Sequence, residues 1–284
     1  MLRIRPLRHG DIPVAIKLCD QERWQVTRTD LERILRLDPM SSFLAYDGTR
    51  RLGLATSTSY GKRLAWIGNV IVDRQYRGRA IGRELVQYTL RYLKRRSIRH
   101  IALYCFEKNL RFYERLGFMR EATFARLARK GKPTNFQIPA QNLNYTYRLK
   151  ELASIDRRAF GADRSKLLRF VIGDKTGFWI VRSKGSRIKS CMMVRKYEDM
   201  CEFGPWNSLS CSKDELSGML RQALNEANDR PVEISVLRSN SVILRLLGDN
   251  AFRVLKKGYR MFYGERPRLG DDHMQCALGF LDKG

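Results

Sequence analysis

Histidine is scarce here, at three residues in 284, and the six cysteines form no Cys-x-x-Cys pair. The chain therefore lacks the ligand spacing of a zinc site, and no metal is expected. Cys19, Cys105, Cys191, Cys201, Cys211 and Cys276 read as free thiols of a reducing compartment. The ten-residue steps between Cys191, Cys201 and Cys211 suit neighbouring strands better than a metal site. No apolar run approaches the roughly 20 residues that cross a bilayer, so no membrane contact is expected. The opening MLRIRPLRHGDIP is basic but has no apolar segment, so no signal peptide is read and a cytoplasmic location is expected. Acid is short as well: Asp+Glu number 29 against 55 Lys+Arg, a net charge of +26. Hydrophobic residues still make up 43% of the chain, which excludes a disordered polymer.

What is present is unevenly spread. Residues 1–150 carry 31 basic and 12 acidic side chains, net +19, whereas 151–284 carry 24 and 17, net +7. Between Arg74 and Arg99 nine basic residues face only Glu84. Such a run admits a nucleic acid or other polyanion as partner, or is a solvated face.

Along the chain, 2–7 alternates as a strand. Asp11 is placed to cap a helix entered through Pro13, and a second helix starts near Thr29 and stops before Pro39. Residues 42–48 and 51–61 read as a hairpin, 64–73 as an apolar strand, Gly82 to about Arg95 as an amphipathic helix, 98–106 as a buried strand and 108–116 as a short helix. Residues 120–147, with Gly131, Pro133 and Pro139, read as an extended segment running into a linker. Beyond it the pattern predicts a helix over 149–172, strands at 178–182, 188–196 and 200–206, a helix at 213–227, the strand VEISVLR, a short helix through Leu247 and a strand near 257–263. Glu84-Leu85 matches Glu215-Leu216 and Leu116-Gly117 matches Leu247-Gly248 at one offset of 131, which argues for a duplicated unit. The expected fold is α/β (α+β mixed sheet): two tandem domains, 1–147 and 148–284, each a twisted mixed sheet flanked by helices.

The turn Gln75-Tyr76-Arg77-Gly78-Arg79-Ala80-Ile81-Gly82 lies between an apolar strand and a helix. A helix start offers unpartnered N–H groups and the positive end of the macrodipole, and glycine lets a pyrophosphate come close. Arg77, Arg79 and Arg83 add positive charge. No Gly-Lys-Ser/Thr follows, which excludes a Walker P-loop, and Gly-x-Gly-x-x-Gly is absent. At this turn the sequence resembles the GNAT superfamily of acetyl-CoA-dependent N-acetyltransferases, whose motif is (Gln/Arg)-x-x-Gly-x-(Gly/Ala). Gln75-x-x-Gly78-x-Ala80 fits it after Val70-Ile71-Val72. A second family motif is matched by Tyr113-Glu114-Arg115-Leu116-Gly117-Phe118. The likeness covers 1 to about 125. The second half resembles the degenerate repeat of two-domain members through Phe160-Gly161-Ala162-Asp163-Arg164, Gly204-Pro205 and Arg260-Met261.

The resemblance implies acetyl-CoA as co-substrate, an amine as acceptor, and direct attack in a ternary complex. It implies that strand 64–73 splays from 98–106, freeing N–H groups around Val70, Ile71 and Val72 for the pantetheine. Arg77, Gly78, Arg79, Ala80, Ile81, Gly82, Arg83 and Asn109 complete the implied donor contacts. Tyr113 is the candidate general acid, a phenol of pKa about 10 facing a thiol of about 8.5. No glutamate stands on strand 64–73 as a base; Glu22, Asp20 or a water chain are the candidates, or the amine arrives neutral. Cys105, in an apolar strand, reads as a buried thiol rather than an acyl carrier. At the same offset Gly78, Ala80 and Tyr113 become Leu209, Cys211 and Leu244, so the second repeat has lost the turn and the phenol. The alternative reading is a nucleic-acid- or ribosome-associated protein, or a CoA sensor, on the same scaffold. A field this cationic repels a free polyamine, so the expected acceptor is neutral, carries acid groups beside its amine, or belongs to a macromolecule bearing anionic charge.

Overall fold

A computed structural model of the chain describes residues 1–136, 149–173, 176–184, 187–209, 212–267 and 269–284. The first half runs β1 (Arg3–Pro6), α1 (Ile12–Asp20), α2 (Arg28–Leu37), β2 (Phe43–Asp47), β3 (Arg50–Tyr60), β4 (Leu64–Val72), α3 (Ile81–Arg95), β5 (His100–Phe106), α4 (Leu110–Glu114) and β6 (Phe118–Arg129). The second runs α5 (Leu149–Phe160), α6 (Ser165–Ile172), β7 (Gly177–Lys184), β8 (Arg187–Lys196), β9 (Cys201–Ser208), α7 (Lys213–Ala227), β10 (Val232–Leu237), α8 (Ser241–Asp249), β11 (Arg253–Tyr263) and β12 (Gln275–Ala277).

The repeat is visible in the elements. α3 and α7 each span 15 residues, and their starts lie 213 − 81 = 132 apart; the starts of α4 and α8 lie 241 − 110 = 131 apart. The two mixed sheets are joined in the order β1-β2-β3-β4-β5-β11-β6-β10-β9-β8-β7, with β12 beside β9. Among the described strands, β4/β5 and β9/β10 are the parallel pairs. The halves exchange their last long strands: β11 lies against β5, and β6 against β10. Each half thus completes the other's hydrogen-bond ladder, and neither sheet ends at an open edge there.

β4 is apolar on both faces because both are covered. Ala65 and Ile67 pack with Val86, Leu90 and Leu93 of α3, while Trp66 on the opposite face meets Tyr60, Phe160 and Phe262. Several local expectations change. Asp11 does not cap α1. Its carboxylate is taken by Arg5 through two bonds of 2.7 Å and by the Arg8 N–H at 2.9 Å. α2 is capped instead by Thr27, which accepts from the Asp30 N–H while Asp30 accepts from the Thr27 N–H. α3 begins at Ile81, one residue early, and β11 begins at Arg253. The helix expected over 149–172 breaks at Gly161, whose φ of +88° suits glycine and whose Cα faces the Leu269–Gly270 backbone. The Asp163 carboxylate then accepts from Ser165 N–H and opens α6. The linker after residue 136, with Pro139 and the boundary at 147/148, lies outside the described residues, as does Cys211.

Buried ion pairs tie the halves together, and one of them lies between β8 and α2. Arg195 of β8 donates to Asp30 of α2 at 2.8 Å, both side chains being nearly inaccessible. Burial raises the Asp30 pKa, but Arg195, Lys283 and the Thr27 hydrogen bonds outweigh it and hold the carboxyl at about 2. A folded value below the unfolded ~3.9 means the stabilisation is full above about pH 4 and is lost as pH falls towards 2. The linkage is worth roughly 2–3 kcal/mol. Asp30→Asn strands Arg195 without its close partner, and should destabilise the neutral-pH fold by about 3–5 kcal/mol while flattening acid sensitivity between pH 4 and 2. Urea titrations at pH 7, 4 and 2.5 check this; equal stability at neutral pH and an unchanged acid slope would contradict it.

Candidate active site

The parallel pairing of β4 with β5 runs from Leu64↔His100 to Ile67↔Leu103 and stops. Beyond it β4 bends away, because Asn69 takes a left-handed φ of +45° and the β3 register slips between Leu54 and Thr56. Asp73 N–H is bonded to Leu52 of β3 at 2.9 Å, so by strand alternation Val72 and Val70 turn their N–H groups towards the gap. The gap opens into a cleft of about 1550 Å³.

One mouth of the cleft is the glycine turn. Asp73 accepts from Gln75 N–H at 2.9 Å and sets a single helical turn over 74–76. Gly78 (φ +80°) and Ala80 (φ +59°) are left-handed, and α3 starts with no side-chain cap. Alternating left-handed residues before an uncapped helix make a concave set of N–H donors suited to an anion. Nothing lies within 4 Å of a Cβ built on Gly78, so the side that a phosphate would approach is open.

Of the twelve residues singled out by sequence, eleven line the cleft: Val70, Ile71, Val72, Arg77, Gly78, Ala80, Ile81, Gly82, Arg83, Asn109 and Tyr113. Arg79 does not, and its guanidinium stacks 5.6 Å from the Tyr76 ring centroid. Arg77 is committed within the fold, donating to the Val72 carbonyl at 3.0 Å and to Glu22 at 2.9 Å. Lys108 holds the other oxygen of Glu22 at 2.9 Å. The Lys108 hydrogen bond outweighs partial burial and, with Arg77, keeps Glu22 below the usual carboxylate range, which makes it a weak proton acceptor. Asp20 is not among the cleft's lining residues.

Tyr113, on α4, is buried between Phe112 and Phe118 at centroid distances of 4.9 and 5.7 Å. Burial, with Cys105 nearby, pushes its phenol well above the ordinary value, so it stays protonated at working pH. Burial also raises the Cys105 thiol to about 12, and its Sγ lies 3.4 Å from Met261 Sδ, which leaves it no thiolate character. Among the described residues no three His, Cys, Asp or Glu side chains are grouped to hold a metal, and no helix is long and apolar enough to cross a membrane. The basic run on α3 is partly spent on the fold: Lys94 caps the Tyr263 ring at 4.6 Å and Arg96 makes two 2.8 Å bonds to Asp38.

The opposite wall was invisible in sequence, because strand exchange assembles it. Arg126 of β6 is set between Glu202 of β9 (3.3 Å) and Glu233 of β10. Tyr104 of β5 and residues Phe280–Lys283 close the chamber.

Family comparison agrees with this architecture. Residues 12–118 match the model of the acetyltransferase (GNAT) family, and residues 152–275 match a second acetyltransferase (GNAT) domain model. The chain belongs to the GNAT acetyltransferases, as a two-domain member. It is 21% identical over 218 residues to the N-acetyltransferase YitH of Bacillus subtilis, covering 76% of each chain. It is 37% identical over 67 residues to GCN5-related N-acetyltransferase 2, chloroplastic, of Arabidopsis thaliana, a match spanning 24% of this chain and only 26% of the plant protein. An acetyltransferase structure from Pyrococcus horikoshii superposes with a TM-score of 0.81 at 20% identity, covering 100% of this chain and 96% of the other, and so shares its fold.

Proposed function

We propose that this acetyltransferase moves the acetyl group of acetyl-CoA to a primary amine by direct attack in a ternary complex, with one donor site in the first half. The observation that carries this reading is the parting of β4 from β5 immediately beside the uncapped start of α3. The pyrophosphate rests on the N–H groups of residues 77–82, with Arg83, Arg79 and Arg77 supplying the surrounding field. The pantetheine runs past Asn109 along β4, where Val70 and Val72 offer N–H groups and Ile71 packs behind them. The thioester carbonyl accepts from β4, which stabilises the oxyanion. Nitrogen attacks the carbonyl carbon, the C–S bond breaks, and Tyr113 protonates the sulfur as it leaves.

Several charges on the acceptor wall are paired: Asp30 with Arg195, Glu202 and Glu233 with Arg126, Asp282 with Lys283. The net +26 of the chain therefore governs approach more than the wall does. Thiol release and product mass with L-glutamate, an acidic peptide bearing a free α-amine, L-lysine and spermidine test this reading. Amine acetylation is expected, with spermidine poorest at low salt and improving as salt screens the field. Acetyl-CoA consumption with no acetylated amine from any acceptor would refute transfer to amines. Spermidine as best acceptor at low salt would refute the electrostatic part alone.

A further inference from the structure

Neither strand 64–73 nor Glu22 supplies a base, yet the cleft holds a carboxylate from the far end of the chain. After β11, Arg260 grips Asp272 through bonds of 3.0 and 2.7 Å, and Leu278 and Gly279 pass against Gly204 and Pro205. Arg164, fixed by two bonds to Asp156, donates to the Gly284 carbonyl. Tyr60 donates to the Lys283 carbonyl at 2.5 Å. Residues 280–284 close into a turn in which the Lys283 and Gly284 N–H groups bond the Phe280 carbonyl at 2.6 and 2.8 Å. The residues of the second half that resembled the family's degenerate repeat are thus the clamps of this segment.

Asp282 lies in that turn, with its backbone packed on Gly68, where any side chain would collide with it. One carboxylate oxygen, Oδ2, accepts from Asn69 Nδ2 at 3.1 Å and from Lys283 Nζ at 2.6 Å. Oδ1 takes no hydrogen bond among the described residues, and the side chain, 20% exposed, lines the cleft. Asn69 is the residue at which β4 bends, next to Val70, whose N–H faces the gap.

We infer that Asp282 is the proton acceptor for the incoming amine, held in place by Asn69 and Lys283 and delivered by the second repeat. This rests on the acetyl-transfer reading. An ammonium entering the cleft gives one proton to Asp282, and the neutral amine attacks the thioester carbon. The C–N bond forms and the C–S bond breaks. The thiolate takes its proton from Tyr113, which regains one from the nitrogen through water, and Asp282 releases the first proton to solvent. The charged and titratable groups facing Asp282 are Lys283, Arg195 of β8, Cys19 of α1, Tyr60 of β3 and Tyr197, while Asp30 of α2 acts on Lys283 and Arg195.

Asp282→Asn keeps shape and the Asn69 side and removes the base; Asp282→Glu restores a carboxylate. With acetyl-CoA and the acidic peptide at pH 7, where only about a tenth of an α-amine of pKa about 8 is neutral, the Asn variant should be slower by about 10-fold, with acetyl-CoA affinity unchanged and partial recovery in Asp282→Glu. The deficit should shrink towards pH 9.5, where an α-amine of pKa about 8 is already neutral. Wild-type kcat in Asp282→Asn, or a deficit constant with pH, overturns the assignment and leaves acetyl transfer intact. If the unaltered chain acetylates no panel amine, the comparison is made on hydrolysis of acetyl-CoA by water. The Asn variant must be slower there as well, and equal hydrolysis overturns the assignment.

Discussion

Tyr113→Phe is expected to leave fold and acetyl-CoA affinity nearly unchanged and to slow the chemical step by about 10²–10⁴-fold. The ring sits edge-on to Phe112 and Phe118, a packing that phenylalanine reproduces. What is lost is the hydroxyl proposed to protonate the departing thiolate. Its raised pKa keeps it in the acid form over the working range, so a pH–rate profile should show no limb from its ionisation below pH 10. Single-turnover thiol release, measured with rapid mixing, separates chemistry from product loss. An unchanged rate would show that the thiolate leaves unaided or takes its proton from another group.

Gly78→Glu should abolish acetyl-CoA binding. The φ of +80° is one that glutamate adopts only with strain, and the side chain would enter the open space in front of the α3 donors. A carboxylate there also meets the phosphates with like charge. Loss of at least 10²-fold in affinity is expected by calorimetric titration, with the thermal transition shifted little because the turn is exposed. Undiminished affinity would remove the pyrophosphate from this turn.

The residues proposed to hold the donor were legible as a group because their pattern is local. The turn 75–82 and the segment 113–118 carry their meaning in a few consecutive residues, and the structure sets both on one cleft. The duplication was legible too, since offsets of 131–132 survive in α3/α7 and α4/α8. Asp11 misled because its charge is claimed by Arg5, a tertiary choice that a capping rule does not weigh. The break at Gly161 depends on the Leu269–Gly270 backbone, more than 100 residues away. The cleft wall opposite the glycine turn was unreadable for the same reason: Arg126, Glu202 and Glu233 meet only because β6 and β11 change places. Asp282 stands 213 residues from Asn69, in a stretch with no motif of its own.

The most direct test of the account is a calorimetric titration of acetyl-CoA into the full chain. The structure gives one uncapped glycine turn beside one parted strand pair in the first half. In the second half the turn and phenol positions hold Leu209 and Leu244. One molecule of acetyl-CoA per chain is the predicted stoichiometry, abolished by Gly78→Glu. Two molecules per chain, or one that persists in Gly78→Glu, would contradict it.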